Sequence, residues 1–198
     1  MAKLIFLTGM MGVGKSTLAK RFIDYAYYIH GDAVHVDAAR RAFPFIKESQ
    51  EYSWRAWPQD VQGTMHVTDL LKLSLGKTHL DLRRIHSMSN VIVDGAIFCN
   101  DWFRTPFIEA LRDIGYAFEE HQTHFICLRP PSDKHYKQIL ARAECEPYRA
   151  NEKLKYTCIE DVERGQAGFE TILNRSLKPW QILDSTEVAS DYIASIFS

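Results

Sequence analysis

Residues Leu4–Ala19 read LIFLTGMMGVGKSTLA, and the order of residue types in this stretch decides the fold. Leu4, Ile5, Phe6 and Leu7 form a short continuous apolar run, the pattern of a strand buried on both faces. Gly9 to Ser16 then fit G-x-x-x-x-G-K-[ST], and Thr17, Leu18 and Ala19 lead into a helix. In such a loop successive backbone N–H groups converge on an anion. Gly12 and Gly14 clear side chains from it, and the helix N-terminus adds partial positive charge.

This assigns phosphate binding to Gly12, Val13, Gly14, Lys15, Ser16 and Thr17. Lys15 would stand between the β- and γ-phosphates of a nucleotide as a point charge. The Ser16 hydroxyl would ligate the Mg²⁺ that bridges the same two groups, and Thr17 would support the loop. ATP and Mg²⁺ are therefore the expected cofactors.

Outward from the loop, Leu18, Phe22, Ile23 and Ala26 repeat at helical spacing, with Gly31 and Asp32 ending that helix. Ala33–Val36 reads as a second strand closing at Asp37. A helix is expected from Pro58 to about Leu75, a shorter one over Leu80–His86, and a third strand over Asn90–Asp94. Phe107–Ile114 is amphipathic, and His124–Leu128 is a fourth strand stopped by Pro130 and Pro131. A helix capped by Ser132 runs to Arg142, residues 143–157 are polar and charged, and Ile159–Asn174 is helical again. Trp180–Leu183 gives a fifth strand and Glu187–Phe197 a last helix.

Strands alternating with helices predict an α/β fold of three layers: a five-stranded parallel sheet with helices on both faces and ligands at the carboxyl ends of the strands. One domain over 1–198 is expected, with a helical acceptor-side region over about 40–89 and a mobile lid over about 142–157. At 198 residues and 46% hydrophobic content the chain can bury a full core. A net charge of -1 provides no global basic field, which argues against a dedicated nucleic-acid binder while leaving room for a local patch. No apolar stretch is long enough to span a membrane. Cys99, Cys127, Cys145 and Cys158 form no C-x-x-C pair, so reduced thiols and a cytoplasmic location are expected. His121 and His124 are too few for a metal site, and nothing in the sequence points to a protein partner.

Asp37 and Arg40 form D-x-x-R beside the loop. The carboxylate would accept the proton of an attacking hydroxyl and the guanidinium would grip an anionic acceptor; the alternative is that Asp37 only caps the helix that follows. Asp94, ending VIVD, has the form of an acid that orients Mg²⁺ directly or through water. Behind it, Asn100, Asp101, Trp102 and Arg104 are offered to a substrate pocket. Arg142 and Arg149 are seven residues apart, two helical turns, and are either lid arginines that neutralise developing charge or solvated surface charges. Phe43, Phe45, Tyr52, Trp54 and Trp57 lie among Arg40, Arg41, Lys47 and Arg55, where they would either stack nucleobases beside phosphate-binding bases or pack a helical subdomain.

Loop, D-x-x-R, VIVD strand, arginine-bearing lid and closing strand-helix pair together resemble the P-loop kinase superfamily over essentially the whole chain. The GMMGVGKST loop is similar to those of shikimate and gluconate kinases, and the D-x-x-R placement resembles polynucleotide kinases and zeta-toxin-like kinases. The resemblance implies Lys15 and Ser16 for ATP and Mg²⁺, Asp37 as general base, Arg40 for the acceptor, and Arg142 or Arg149 as the lid arginine. Arg41, Arg55 and Arg104 complete the expected acceptor side. No shikimate-binding arrangement and no polynucleotide-kinase phosphatase domain is present. A compact kinase of this type also resembles phage kinases that phosphorylate modified bases such as 5-hydroxymethyluracil in DNA. The expected reaction is transfer of a γ-phosphate to a hydroxyl on a nucleic acid or nucleotide. The alternatives are a small-metabolite or nucleoside monophosphate kinase, or a regulatory NTPase, for which Asn151–Leu154 lacks the acid of N-K-x-D.

Overall fold

The computed structural model describes residues 2–42, 65–78, 90–116, 118–145 and 155–198. Its sheet has five strands, β1 (Leu4–Gly9), β2 (Ala26–His30), β3 (Asn90–Asp94), β4 (Thr123–Leu128) and β5 (Gln181–Leu183), all parallel in the order β2-β3-β1-β4-β5. The central strand, β1, pairs Leu4 with Val91 on one side and with Thr123 on the other.

Burial on both faces explains the apolar run. Leu4 and Phe6 join the core on one side, Ile5 and Leu7 the core on the other, as the period of two requires. Helices α2 (Gly31–Ala42), α3 (Met65–Thr78) and α4 (Asp101–Asp113) cover the first face through Val34, Leu71 and Phe107. The other face is covered by α1 (Lys15–Lys20), α5 (Ser132–Cys145), α6 (Ile159–Asn174) and α7 (Thr186–Phe197), through Leu18, Ile139, Val162 and Ile193. The expected three-layer α/β arrangement is the one found.

The second strand is a correction. Residues 33–36 are helical, and β2 is Ala26–His30, so α1 ends at Lys20 rather than running on to Ala26. Tyr27, Tyr28 and Ile29 are the stronger strand formers, aromatic and β-branched. Gly31 and Asp32 do not end a helix but begin one. A Cβ on Gly31 would stand 2.2 Å from Phe98 and 2.3 Å from the Asp94 carbonyl oxygen, so only glycine allows the chain to turn there. Val34 and Ala38 are both fully buried, four residues apart on one face of α2.

Asn90–Asp94 and Ile159–Asn174 have the expected limits. Helix α4 starts at Asp101, earlier than expected, which makes Asp101 to Arg104 its first turn. The expected helix over Leu80–His86, the aromatic region from Phe43 to Trp57 and the middle of the expected lid lie outside the described residues.

Candidate active site

The carboxyl ends of β1, β2 and β3 open on one cleft of about 1110 Å³, walled on its far side by α6. The loop after β1 takes its shape from its glycines. Gly12 and Gly14 have φ of 85° and 90°, and Gly12 lies so close to α5 that a Cβ would sit 3.1 Å from Ile139. Lys15 is buried, and its amino group donates to the carbonyl oxygens of Gly9 and Met10, each at 2.9 Å. Burial lowers its pKa, against the pull of Asp32 and Asp94. The ammonium is thus held against the loop's own backbone, at the wall of the cleft.

The Ser16 hydroxyl donates to the Asp94 carboxylate at 2.5 Å, and Nδ1 of His30 lies 3.0 Å from the other carboxylate oxygen. Burial pushes the Asp94 carboxyl up, but hydrogen bonds from His30 and Ser16 outweigh it and hold the group below the ordinary carboxylate range. The same hydrogen bond to Asp94 raises the His30 pKa. A hydroxyl and an ionised carboxylate in contact, with Asp32 nearby, are hard oxygen donors of the kind Mg²⁺ takes, so the residues fit that ion. Among the described residues no group of three or more His, Cys, Asp or Glu side chains is arranged to hold a metal alone. Such an ion would draw its remaining ligands from phosphates and water.

Asp32 was not expected here. It follows His30 and Gly31 at the end of β2, lines the cleft with Lys15 and Ser16, and accepts a hydrogen bond from the Ala96 backbone. Desolvation within the cleft, with the neighbouring Asp94 charge, raises its carboxyl above the ordinary range, against the pull of Lys15. The signal is present in the sequence as an acid just past a strand of AYYIH, hidden because the local pattern points to a strand seven residues further on, at Ala33–Val36.

Asp37 is a correction that follows from the same shift. It lies in the second turn of α2, not at a strand end, and is held by Arg41 at 2.7 Å as an (i, i+4) pair. Neither Asp37, Arg40 nor Arg41 lines the cleft. Arg104 is a second correction. It is buried, donates to the Phe98 carbonyl at 2.6 Å and to Ser176 at 2.7 Å, pairs with Asp101, and lies 5.0 and 5.1 Å from the ring centres of Phe125 and Trp180. A guanidinium so fully engaged is a structural tie between α4 and the turn before β5, not a substrate ligand.

Arg142 does line the cleft, from α5, whereas Arg149 and Arg55 lie outside the described residues. Two further cations line it that the sequence reading passed over, Lys155 and Arg164. Arg164 is on α6 and pairs with Asp161 at 3.2 Å. With Asp161, Gly165, Gly168, Phe169 and Ile172 it makes one helical stripe along the cleft. That face was legible as a 3.6-residue repeat but carried no recognisable motif. At the cleft edge, burial pushes the Cys99 thiol up to about 12, away from the thiolate that a nucleophile requires.

Comparison with known proteins gives a family match and likenesses in fold. The family model described as Zeta toxin matches residues 2–127, more than half of the chain and every strand that carries the loop, Asp32 and Asp94. The crystal structure of TT1252 from Thermus thermophilus has 17% identity and a TM-score of 0.52, covering 100% of this chain and 98% of that one. A gluconokinase from Sinorhizobium meliloti 1021 has 14% identity and a TM-score of 0.49, covering 98% and 91%. A sugar kinase from Janibacter sp. HTCC2649 has 15% identity and a TM-score of 0.48, covering 98% and 94%. A search of curated protein sequences gave no match. A complete phosphate-binding loop, carboxylates at the ends of β2 and β3, and the family match over 2–127 agree: the chain belongs to the zeta toxin family and is a P-loop phosphotransferase.

Proposed function

We propose that the protein is an ATP- and Mg²⁺-dependent kinase that transfers the γ-phosphate to a hydroxyl on a nucleotide or nucleic acid, with Asp32 as general base. The observation that carries this reading is the position of Asp32. Exposed just past the end of β2, it lines the same cleft as Lys15 and Ser16. A carboxylate within reach of a bound hydroxyl can accept its proton as that hydroxyl reacts.

In this reading the loop N–H groups and Lys15 hold the phosphates, and Ser16 with Asp94 would hold Mg²⁺. When bound, that ion would neutralise charge on the terminal phosphates. Asp32 takes the proton of the acceptor hydroxyl as the hydroxyl oxygen attacks the γ-phosphorus in line and the bond to the ADP oxygen breaks, releasing ADP. Arg142, Lys155 and Arg164 stabilise the charge that spreads over the transferring group. Phosphate itself is a nucleophile that needs no base, so a carboxylate in this place favours a hydroxyl acceptor. Three cations beside an apolar stretch at Ala96, Cys99, Phe169 and Ile172 suit an acceptor with both an anionic part and a flat ring. Hydroxymethyluracil in phage DNA is one acceptor of that description.

The test is transfer of label from γ-labelled ATP to a panel of DNA and RNA ends, hydroxymethyluracil DNA, nucleosides, nucleotides and hydroxylated metabolites, with Asp32→Asn and Asp37→Asn in parallel. The reading expects label on a nucleotide or polymer, lost about 10²- to 10⁴-fold in Asp32→Asn and kept in Asp37→Asn. Label confined to a small polyol hands the acceptor to metabolite kinases, and loss in Asp37→Asn alone removes Asp32 from the base role.

A further inference from the structure

One stripe of α5 faces the phosphate-binding loop. His135, Ile139 and Arg142 follow at helical spacing. His135 is wholly buried, with Nε2 2.8 Å from the Met11 carbonyl oxygen. Ile139 fills the space beside Gly12, and Arg142 lines the cleft. From α6, the buried Gln166 closes the same junction. Its amide nitrogen donates to the Pro130 carbonyl at 2.8 Å and lies 3.4 Å from Nδ1 of His135, while its oxygen accepts from the Ser132 hydroxyl at 3.0 Å. Ser132 therefore spends its side chain here, on α6.

These contacts fix the protons. A carbonyl only accepts, so Pro130 determines which end of the Gln166 amide is nitrogen. The second hydrogen on that nitrogen faces Nδ1 of His135, which leaves Nδ1 an acceptor and Nε2 the donor to Met11. Burial lowers the pKa of His135, which keeps the ring in this neutral form.

We propose that His135, held by Gln166, is a positioning residue that sets the phosphate-binding loop in register with the arginines reaching the cleft from α5 and α6, Arg142 and Arg164. Met11 immediately precedes Gly12, where the loop turns through its positive φ. Gln166 is two residues from Arg164, and Met10 packs so closely on Gly165 that a Cβ there would lie 2.6 Å from its methyl carbon. Loop, α5 and α6 thus meet at one buried polar junction. Hydrogen bonds there fix direction, which apolar packing alone does not. Misplacing a reacting group by an ångström costs on the order of 10²-fold in rate.

This inference rests on reading Arg142 and Arg164 as ligands of the transferring phosphoryl group. The test uses the whole chain, initial rates of Mg²⁺-ATP hydrolysis, and Kd for Mg²⁺-ADP by calorimetry. The variants are His135→Leu, His135→Gln, Gln166→Met, Arg142→Ala, Arg164→Ala and the doubles with His135→Leu. Glutamine at 135 keeps an N–H donor near the place of Nε2. His135→Leu should lower kcat about 10- to 100-fold with Kd for Mg²⁺-ADP and KM for ATP little changed. His135→Gln should restore most of the rate, and His135→Leu should cost little more once an arginine is gone. Should His135→Leu not fold, Gln166→Met, which leaves the histidine in place, carries the same expectation at smaller size. Equal loss in His135→Leu and His135→Gln, or a full His135→Leu penalty in both arginine backgrounds, overturns the proposal. Full activity of both arginine variants removes the phosphate reading itself, whatever His135 does.

Discussion

The Ser16 hydroxyl and the Asp94 carboxylate lie 2.5 Å apart although 78 residues separate them in the chain. The pairing of Leu7 with Asp94 across β1 and β3 brings the loop and the acid to the same end of the sheet. His30, on β2, reaches the other carboxylate oxygen, so three segments meet on one acid. Asp94→Asn removes the charge and keeps the shape. The expected result is a Mg²⁺ requirement about 10- to 100-fold higher, read from the half-saturating Mg²⁺ concentration at fixed ATP. An unchanged Mg²⁺ curve would place the ion elsewhere.

Lys15→Ala should remove phosphoryl transfer by at least about 100-fold while the thermal unfolding midpoint stays close to that of wild type. The lysine's amino group is buried against two backbone carbonyls of the loop and ties no other element to the core. Turnover equal to wild type would sink the loop assignment.

Arg104→Met should act on stability rather than on the acceptor. It leaves the Phe98 carbonyl and the Asp101 carboxylate without their guanidinium. Breaking a buried ion pair costs about 3–5 kcal/mol, and the partial exposure of Asp101 puts this one toward the low end. Urea unfolding at pH 7 measures it. A raised acceptor KM with unchanged stability would return Arg104 to the substrate side.

His35 carries a pH dependence of its own. It is 5% exposed and set edge-on against Phe103, and burial pushes it down to about 4 from 6.5. Between those two values the unfolded chain binds a proton that the folded chain refuses, so stability rises with pH there. The contribution is fully present above about pH 6.5 and is lost progressively toward pH 4; a shift of this size corresponds to roughly 3 kcal/mol. His35→Leu should flatten the stability profile over that window, compared by urea unfolding at pH 7 and 4.5. A slope equal to wild type would show that another group carries it.

Gly168→Ala should separate stability from activity. Nothing lies within 4 Å of a Cβ at this exposed position, so the helix gains. The gain should be about 0.8–1.0 kcal/mol, the margin by which alanine exceeds glycine in a helix interior. Because Gly168 lines the cleft, acceptor KM should rise while ATP KM does not. Equal effects on both would put the glycine outside the acceptor side.

Most of the architecture was legible because apolar runs such as LIFL and NVIVD are too short and too continuous for amphipathic helices, and because the glycines and lysine of the loop have one common use. The second strand was not. AVHV is β-branched and alternating, and Gly31-Asp32 looks like a helix end, so local propensity pointed the wrong way. Tertiary packing decided it, through the absence of room for any side chain at Gly31 and the burial of Val34 and Ala38 on one helical face. That single slip moved the candidate base from Asp32 to Asp37. Arg104 was misjudged for a related reason: an arginine in sequence looks the same whether it meets solvent, ligand or, as here, two aromatic rings and a carboxylate. The cation of α6 needed the third dimension, since only the crossing of that helix over the strand ends brings Arg164 to the cleft.

The central place of β1 has a consequence for biosynthesis. Leu4 must wait for Val91 on one flank and Thr123 on the other, so the apolar strand leaves the ribosome long before either neighbour exists. Until then LIFL is an unpaired edge of high β-propensity, the kind of segment that associates with other chains. Two long loops have to close before the phosphate-binding turn has a floor, and contacts of that span make folding slow. The nascent chain therefore carries the segment that builds the site as an aggregation-prone one, and a chaperone that shields the first strand would protect the site before the site is made.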